Sequence, residues 1–327
     1  MKEADIRPKS IFDEYLRLSA LDAHAMLEQK ADFAEIACPG CDRPQESVWF
    51  QKNGFNICRC EMCGSIYCSP RPTDAQLGQF YSSSPSSRFW AQEFFPAVME
   101  ARREKLFRPK AQQIYAMMSE RCFEPSEVCD VGAGHGLLLE EFARLWTSAN
   151  MIAVEPGQES ATVCRDKGFE VIQAMVEDVR EEQGVADLVT CFEVVEHVFD
   201  PRRFINALRR LVKPGGYCLV TGLGGDGFDI QVLGEYSKSI FPPHHLNFLS
   251  IQGLRLLFTS AGFSDVEITT PGKLDVDIVK NMYMDSKVKI PTFLETLFNR
   301  EENALKELQE FLVRYQMSSH VWILARY

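Results

Sequence analysis

The sequence predicts an α/β protein with a doubly wound, mostly parallel sheet, and with a small cysteine-rich module ahead of it. Three observations carry this expectation. From Glu127 onward, short apolar runs rich in β-formers alternate with segments of helical period, a pattern that implies right-handed crossovers and ligands at the carboxyl ends of the strands. The stretch Glu127 to Phe142, EVCDVGAGHGLLLEEF, reads as a buried strand ending in Asp130, then Gly132, Gly134 and Gly136 at every second position, then the start of an amphipathic helix. Glycines at that spacing let the backbone approach a bulky ligand, and the helix behind them points its first amides at it. Two C-x2-C pairs, Cys38/Cys41 and Cys60/Cys63, stand 18 residues apart within a stretch rich in β-formers.

Composition narrows the class. At 327 residues the chain has room for a full hydrophobic core plus a smaller domain, and its net charge of −11 excludes a nucleic-acid partner on electrostatic grounds. The cluster Arg102, Arg103, Lys105 reads as a solvated helix face. No apolar run has the length of a membrane span, and the opening MKEADIRPKS lacks a hydrophobic signal core, so the expectation is a cytoplasmic protein with no membrane partner. Eleven cysteines, an odd number and mostly scattered, suit a reducing compartment better than a disulfide framework.

Taken in order, residues 1–36 hold an amphipathic helix from Ser10, as N-cap, to about Phe33, with Leu16, Leu18, Leu21, Met26 and Leu27 on its apolar positions. Residues 37–72 form the cysteine module. The repeated C-x2-C spacing is that of a zinc ribbon, in which two knuckles present four thiolates, Cys38, Cys41, Cys60 and Cys63, to one structural Zn2+; Cys58 and Cys68 stand off the repeat as spare thiols. Residues 73–121 are a helical connector: a helix capped near Thr73, a linker or mobile loop at SSSPSS (Ser82 to Ser87), then helix from Arg88 to about Arg121 restarted or kinked at Pro96 and Pro109.

Residues 122–272 carry the alternation. Strands are expected at EVCDVG, MIAVEP, FEVI, ADLVTCFE, GYCLVTG and FSDVEITT, with helices from Gly136, over Gln158–Lys167, over Pro201–Val212 and over Gln252–Ala261. The remaining segment, 273–327, reads as helical with a break at Pro291 and closes on a strand, HVWILARY. The glycine-rich LGGDGFD, Leu223 to Asp229, follows a strand end and reads as a substrate-side loop, since it lacks the lysine of a phosphate-binding loop.

Several residues then acquire candidate roles. Glu155 ends the second strand, where a carboxylate accepts both hydroxyls of a ribose. Counting G-x-G-x-x-G from Gly132 puts Leu137 at the third glycine, which argues against a dinucleotide, whereas Asp130 with G-x-G-x-G fits another cofactor class. In these motifs (DVGAGHG, AVEP, ADLVTCFEVVEHVFDP and LVKPGG) the segment from Glu127 to about Ala261 resembles the class I S-adenosylmethionine-dependent methyltransferases. That resemblance implies a seven-stranded, Rossmann-like sheet with an antiparallel C-terminal strand and S-adenosylmethionine as cofactor. It implies that Asp130, Gly132, Gly134 and Gly136 meet the methionine half, that Glu155 binds the ribose, that Met175 and Val176 flank the adenine beside Asp178, and that Phe192 and Glu193 line the floor near the sulfonium.

The cysteine module and PPHHLNFLS, Pro242 to Ser250, further resemble bacterial sugar C-methyltransferases, which carry a Glu-His pair where this chain has His244-His245. Methyl transfer to a hydroxyl or a carbon acid needs a base near neutrality, a role that suits histidine. Of the six histidines, His245 is the candidate base, with His244 as substrate ligand or the reverse. FEVVEH also resembles the corresponding piece of ubiquinone-biosynthesis O-methyltransferases, and that resemblance implies that Glu193, Glu196 and His197 hold a divalent ion able to acidify a hydroxyl. The expected partner is a small-molecule acceptor, a sugar nucleotide or another hydroxylated metabolite; oligomeric state is left open. The competing expectation is a zinc-ribbon binding or scaffold protein whose methyltransferase domain is degenerate.

Overall fold

A computed structural model describes residues 8–44, 47–179, 184–285 and 288–327. The first helix, α1 (Lys9–Leu27), follows Pro8 with no side-chain cap, so Ser10 lies inside it and not at its N-cap. It ends six residues before the expected Phe33, which instead follows a short 3-10 turn at Lys30–Asp32. Its buried side chains are Phe12, Ser19, Asp22, Ala23 and Met26, whereas Leu21 faces solvent.

The cysteine module contributes β1 (Val48–Lys52), β2 (Phe55–Arg59) and β3 (Ile66–Cys68), paired antiparallel in that order. Next come α2 (Asp74–Ser83), closed by a capping box between Thr73 and Gln76, and α3 (Pro85–Phe89). The expected linker at Ser82 to Ser87 is therefore a tight helix-helix junction. Ser84 caps α3 by accepting from the Ser87 amide, Pro85 sits at its first position, and buried Asp22 of α1 accepts the Ser86 amide at 2.8 Å. A serine-rich composition that suits a linker here supplies the helix cap Ser84.

Helices α4 (Phe95–Arg102) and α5 (Arg108–Glu120) each begin with a proline in their first turn, and each is preceded by a widened π turn, Trp90–Phe94 and Arg103–Phe107. Proline removes one amide and its ring collides with the carbonyl one turn back; a widened turn accommodates both, so the helical path continues where sequence alone allowed a break.

The core follows as β4 (Glu127–Val131), α6 (Leu137–Leu145), β5 (Asn150–Val154), α7 (Gln158–Asp166), β6 (Glu170–Ile172), β7 (Ala186–Phe192), α8 (Pro201–Leu211) and β8 (Val212–Leu223). Beyond them lie α9 (Phe228–Leu233), β9 (Asn247–Phe248), α10 (Ile251–Ser260) and β10 (Ser264–Thr269), then α11 (Asp275–Met284), α12 (Thr292–Phe298), α13 (Glu302–Arg314) and β11 (His320–Arg326). The main sheet has the order β10-β11-β8-β7-β4-β5-β6; β11 alone runs antiparallel to its neighbours, as the resemblance implied. Strand order reverses at β4, beside β7, which places the ligand crevice at the carboxyl ends of those two strands.

Strand alternation builds the two layers. Along β4, Val128 joins Ile114, Met118, Leu138 and Phe142 of α5 and α6 on one face, while Cys129 and Val131 join Phe204 and Leu208 of α8 on the other. Near-continuous burial of β4, β5, β7 and β8 is what a sheet covered on both faces requires. β9 does not join this sheet: it pairs with β3 and becomes the fourth strand of the cysteine module's sheet. The module is thus completed by a strand from the core domain.

Glu141 of α6 is buried and takes three guanidinium groups, from Arg103 at 3.2 Å, Arg108 at 3.0 Å and Arg144 at 2.9 Å. The basic cluster read as a solvated face is therefore partly a buried strut holding α4 and α5 against α6. Glu141→Ala removes the partner these guanidiniums share, while Arg103 keeps Glu140 and Arg108 keeps Glu104, and is expected to destabilise the protein by about 1 kcal/mol, read as a lower thermal midpoint; a midpoint within one degree of the parent's would show that the strut contributes nothing.

Candidate active site

The glycine loop leaves β4 through three left-handed glycines, 132, 134 and 136. A Cβ at Gly132, where φ is +72°, would lie 2.8 Å from Val194 Cγ2, whereas one at Gly134, φ +54°, would project into open space. The loop is therefore packed tightly on the β7 side and open toward the crevice. Glu155 spans it: one carboxylate oxygen accepts the Gly134 amide at 2.8 Å and the other the Gly157 amide at 2.8 Å. Burial pushes the Glu155 pKa up, against the pull of those two amides. Asp130 is 4 % exposed, accepts the Thr190 hydroxyl at 2.7 Å, and burial pushes its carboxyl up to about 7. Thr190, from β7, escaped the sequence reading because a strand threonine carries no motif.

Of the residues expected at the adenine, Val176 is buried in the main core and opens a 3-10 turn, Val176–Asp178; Met175 before it is half-exposed, and Asp178 lies outside, paired with Arg203 at 3.4 Å. Phe192 ends β7 with the Lys110 ammonium 5.1 Å from its ring centre.

Glu193 follows in a left-handed conformation, φ +54°, which a non-glycine residue holds only under constraint. Here the Glu193 amide donates to the Thr221 carbonyl at 3.0 Å, and the side chain accepts from the Thr221 hydroxyl at 2.8 Å, beside Lys110 and His320, each at 3.4 Å. Burial would raise its pKa, but His320 and Lys110 outweigh burial and hold the carboxyl well below the usual range. Glu193 thus turns toward Lys110 and His320, and the grouping expected from FEVVEH does not assemble as Glu193, Glu196, His197.

Another grouping does. An oxygen of Glu196 and one ring nitrogen each of His197 and His245 lie within 4.8 Å of one another. His197 Nδ1 stands 2.8 Å from the His244 carbonyl and 3.0 Å from Tyr81 Oη, and Tyr81 itself donates to that carbonyl at 2.9 Å. A carbonyl only accepts, so Nδ1 carries the proton and Nε2 the lone pair. The same argument applies to His245, whose Nδ1 donates to the Ser239 carbonyl at 2.7 Å. Burial, reinforced by His245, drives His197 down to about 3, so its ring is neutral. Glu196 is 1 % exposed, with Oε2 lacking a partner, and burial together with the charge of Glu193 pushes its carboxyl well above the normal range. Two imidazoles and a buried carboxyl thus come together in one small volume, a donor set able to hold a proton or a cation.

His244 departs from its expected role. It is 4 % exposed, with Nε2 3.1 Å from Ser86 Oγ and Nδ1 3.4 Å from Tyr15 Oη, and its ring lies edge-on to Phe80 at 4.7 Å. Burial and the two neighbouring imidazoles hold its pKa well below the ordinary value. It braces α1 and α3 and lies outside the grouping of Glu196, His197 and His245. Tyr15, Tyr81 and Ser86 are the side chains that sequence reasoning missed here; they are 229, 163 and 158 residues from His244, beyond the reach of any local pattern.

The four cysteines 38, 41, 60 and 63 converge with all sulfurs within 4.8 Å of one another and with Cys38–Cys63 and Cys41–Cys60 both at 3.5 Å. A tetrahedral ion with bonds of about 2.3 Å sets its sulfurs about 3.8 Å apart, so the cluster has the size that zinc requires. The hydrogen bond between them drives Cys63 down to about 4 and Cys38 up: without a cation one thiol ionises at the expense of the other. Among the described residues no helix is long and apolar enough to cross a membrane.

The methyltransferase-domain family matches residues 100–268, just over half of the chain. Over 132 residues the chain is 37 % identical to a ubiquinone biosynthesis O-methyltransferase of Xanthomonas oryzae pv. oryzae (strain PXO99A), covering 37 % of this chain and 54 % of that enzyme. Against the enzyme of the same description from Cronobacter sakazakii (strain ATCC BAA-894) it is 39 % identical over 104 residues, 30 % of this chain and 42 % of that one. The chain thus spans about half the length of the curated relatives it matches. Among solved structures, the plantazolicin methyltransferase BpumL in complex with SAH aligns with a TM-score of 0.50 and 14 % identity over 76 % of this chain and 93 % of that one, a likeness of fold.

Asp130 makes a direct prediction. Its carboxyl is protonated in the folded chain up to about pH 7 but ionises near pH 4 when unfolded, so stability falls as pH rises through that window. Asp130→Asn should remove this dependence, leaving the ligand-free variant more stable than the parent at pH 8 and closer to it at pH 4.5. Parallel thermal midpoints across that range would refute the assignment.

Proposed function

Because the chain belongs to the methyltransferase-domain family, we propose that it transfers the methyl group of S-adenosylmethionine to a hydroxyl of a small molecule, a sugar nucleotide or another hydroxylated metabolite, with His245 as general base. The observation that carries this reading is the reversal of strand order between β4 and β7, with the open glycine loop, Asp130 and Glu155 at the ends of β4 and β5 and with Glu196 and His197, after β7, grouped with His245. The naming of the curated relatives as O-methyltransferases supports oxygen as the acceptor atom, as does His244 in place of the glutamate of the sugar C-methyltransferases.

The residues present fit the cofactor. Gly134 leaves the space that a ligand's bulk would need, and the two amides accepted by Glu155 are those a ribose-binding carboxylate would exchange for hydroxyls. Asp130, ionising near neutrality, suits the ammonium end of an amino-acid moiety. When bound, S-adenosylmethionine supplies an activated methyl on a good leaving group, so positioning provides much of the rate. His245 then takes the acceptor proton at Nε2, with Nδ1–H held by Ser239, while His197, tied through Nδ1 to the His244 carbonyl, can accept from a neighbouring hydroxyl of the acceptor and so orient it.

A second reading rests on the same three groups. Glu196, His197 and His245 have the donor set and the outward-fixed tautomers that hold a divalent ion, which would acidify an acceptor hydroxyl. It predicts that turnover disappears on chelation and returns with added Mg2+, Mn2+ or Zn2+; the base reading predicts indifference to chelators too weak to reach the cysteine site. The cysteine cluster is proposed as the structural zinc site, and metal analysis of protein purified without chelators should find about one ion per chain, lost when Cys38 and Cys60 are replaced.

Calorimetry tests the cofactor directly. S-adenosylhomocysteine should bind the parent, and Asp130→Ala or Glu155→Ala should weaken it at least tenfold; no binding to the parent favours the scaffold alternative, in which the methyltransferase domain is degenerate. His245→Ala should lower turnover on a panel of sugar nucleotides and dihydroxybenzoates by 100-fold or more while S-adenosylhomocysteine affinity stays within twofold. Undiminished turnover would remove His245 as the base.

A further inference from the structure

Arg71 is the largest fully buried side chain, its guanidinium has no carboxylate partner among the described residues, and burial lowers its pKa to about 10. Such a group persists only where its donors are matched. Nε donates to the Cys68 carbonyl at 2.8 Å, Nη1 to the Phe199 carbonyl at 2.9 Å and to Asn247 Oδ1 at 2.8 Å, and Nη2 to the Leu246 carbonyl at 3.2 Å. Three segments distant in sequence meet on this one fork: the end of β3, the loop after β7 and the loop before β9.

Asn247 extends the grip. Its Nδ2 donates to the carbonyls of Val195 at 3.1 Å and Val198 at 2.8 Å, while the amides of Leu246 and Asn247 both donate to the Glu196 carbonyl, at 2.7 and 3.2 Å. Apart from the bond to Cys68, which ties the fork to β3, every one of these bonds ends on backbone or amide atoms within three residues of Glu196, His197 or His245. The spacing between the two loops, and with it the 4.8 Å grouping, is thus set by a cation that touches none of the three.

We propose that Arg71, acting through Asn247, is a positioning residue of the acceptor side: it fixes the loop carrying Glu196 and His197 against the loop carrying His245 and ties both to the cysteine module. This rests on the methyl-transfer reading for its functional meaning, but not for its test. Truncating either residue frees the loops to part, so the fixed Nδ1–H tautomers of His197 and His245 are lost while the glycine loop, on β4, stays intact.

The test uses full-length protein with isotope-labelled histidine rings, saturated with S-adenosylhomocysteine. Arg71→Gln is expected to shift the His197 and His245 ring resonances and to replace their single Nδ1–H signals by exchanging tautomers, with S-adenosylhomocysteine affinity within twofold; Arg71→Lys, keeping the charge and fewer donors, should restore part of the parent spectrum. If Arg71→Gln does not fold, Asn247→Asp decides, since it keeps an acceptor for Arg71 while setting a carboxylate oxygen, in place of the donor, against the carbonyls of Val195 and Val198; the same ring shifts are expected. Unchanged histidine spectra in the folded variant overturn the proposal, as does a parallel loss of S-adenosylhomocysteine affinity, which would make Arg71 a general fold residue. Failure of the parent to bind S-adenosylhomocysteine would instead strike the methyl-transfer reading, and the ring signals, recorded without ligand, would still judge Arg71.

Discussion

The structure depends on a constraint that lies at the junction of its two sheets: the cysteine module can close only by borrowing a strand. Ile66 and Tyr67 of β3 pair with Phe248 and Asn247 of β9, which enters from the loop after β8. Around that pairing the contacts are unusually close. Ser65 Oγ accepts the Ser250 amide at 3.1 Å, Ser250 Oγ donates to the Cys63 carbonyl, and a Cβ on Gly40 would fall 2.9 Å from the Gly253 backbone. Ser250 also caps α10. The knuckle that presents Cys63, the start of a core helix and the histidine loop therefore form one unit.

That unit explains a division within the site. The side proposed for the cofactor is local: Asp130, the glycines and Glu155 belong to consecutive β-α turns and owe their geometry to strand pairing and positive-φ glycines. The side proposed for the acceptor is assembled at long range from α1, α2, α3 and the loops after β7 and before β9, and its polarity is arranged by tautomer-fixing carbonyls. Neutral imidazoles beside an orphaned carboxyl oxygen are costly in a low-dielectric interior, and that cost is sustained by surrounding bonds that do not themselves enter the crevice.

The same division decides what was legible in the sequence. The mostly parallel, doubly wound sheet followed from alternation, its seven strands and antiparallel last strand from the resemblance, and the four cysteines from spacing, because each is a repeated local signal. Ser82 to Ser87 misled because capping serines and linker serines have the same composition; only Asp22, 64 residues away, reveals which they are. His244 misled because adjacency to His245 implied a shared role, whereas the chain turns one ring toward Ser86 and the other toward His197, with ring centres 4.7 Å apart for the latter pair. Glu193 misled because a motif fixes spacing, not φ; its left-handed backbone swings the side chain to Lys110 and His320.

The position of β11 has a consequence for how the chain is made. It lies between β8 and β10, with seven residues paired to β8 on one edge and the other edge closing on β10. β10 emerges from the ribosome first, and fifty residues, 270–319, separate it from the strand that must slot beside it. Until β11 is synthesised, the backbone edge of β8 from Tyr217 to Leu223 lacks the strand that pairs with it. The contact of His320 with Glu193 is therefore completed only after the strands that carry the glycine loop and Glu193 have been made.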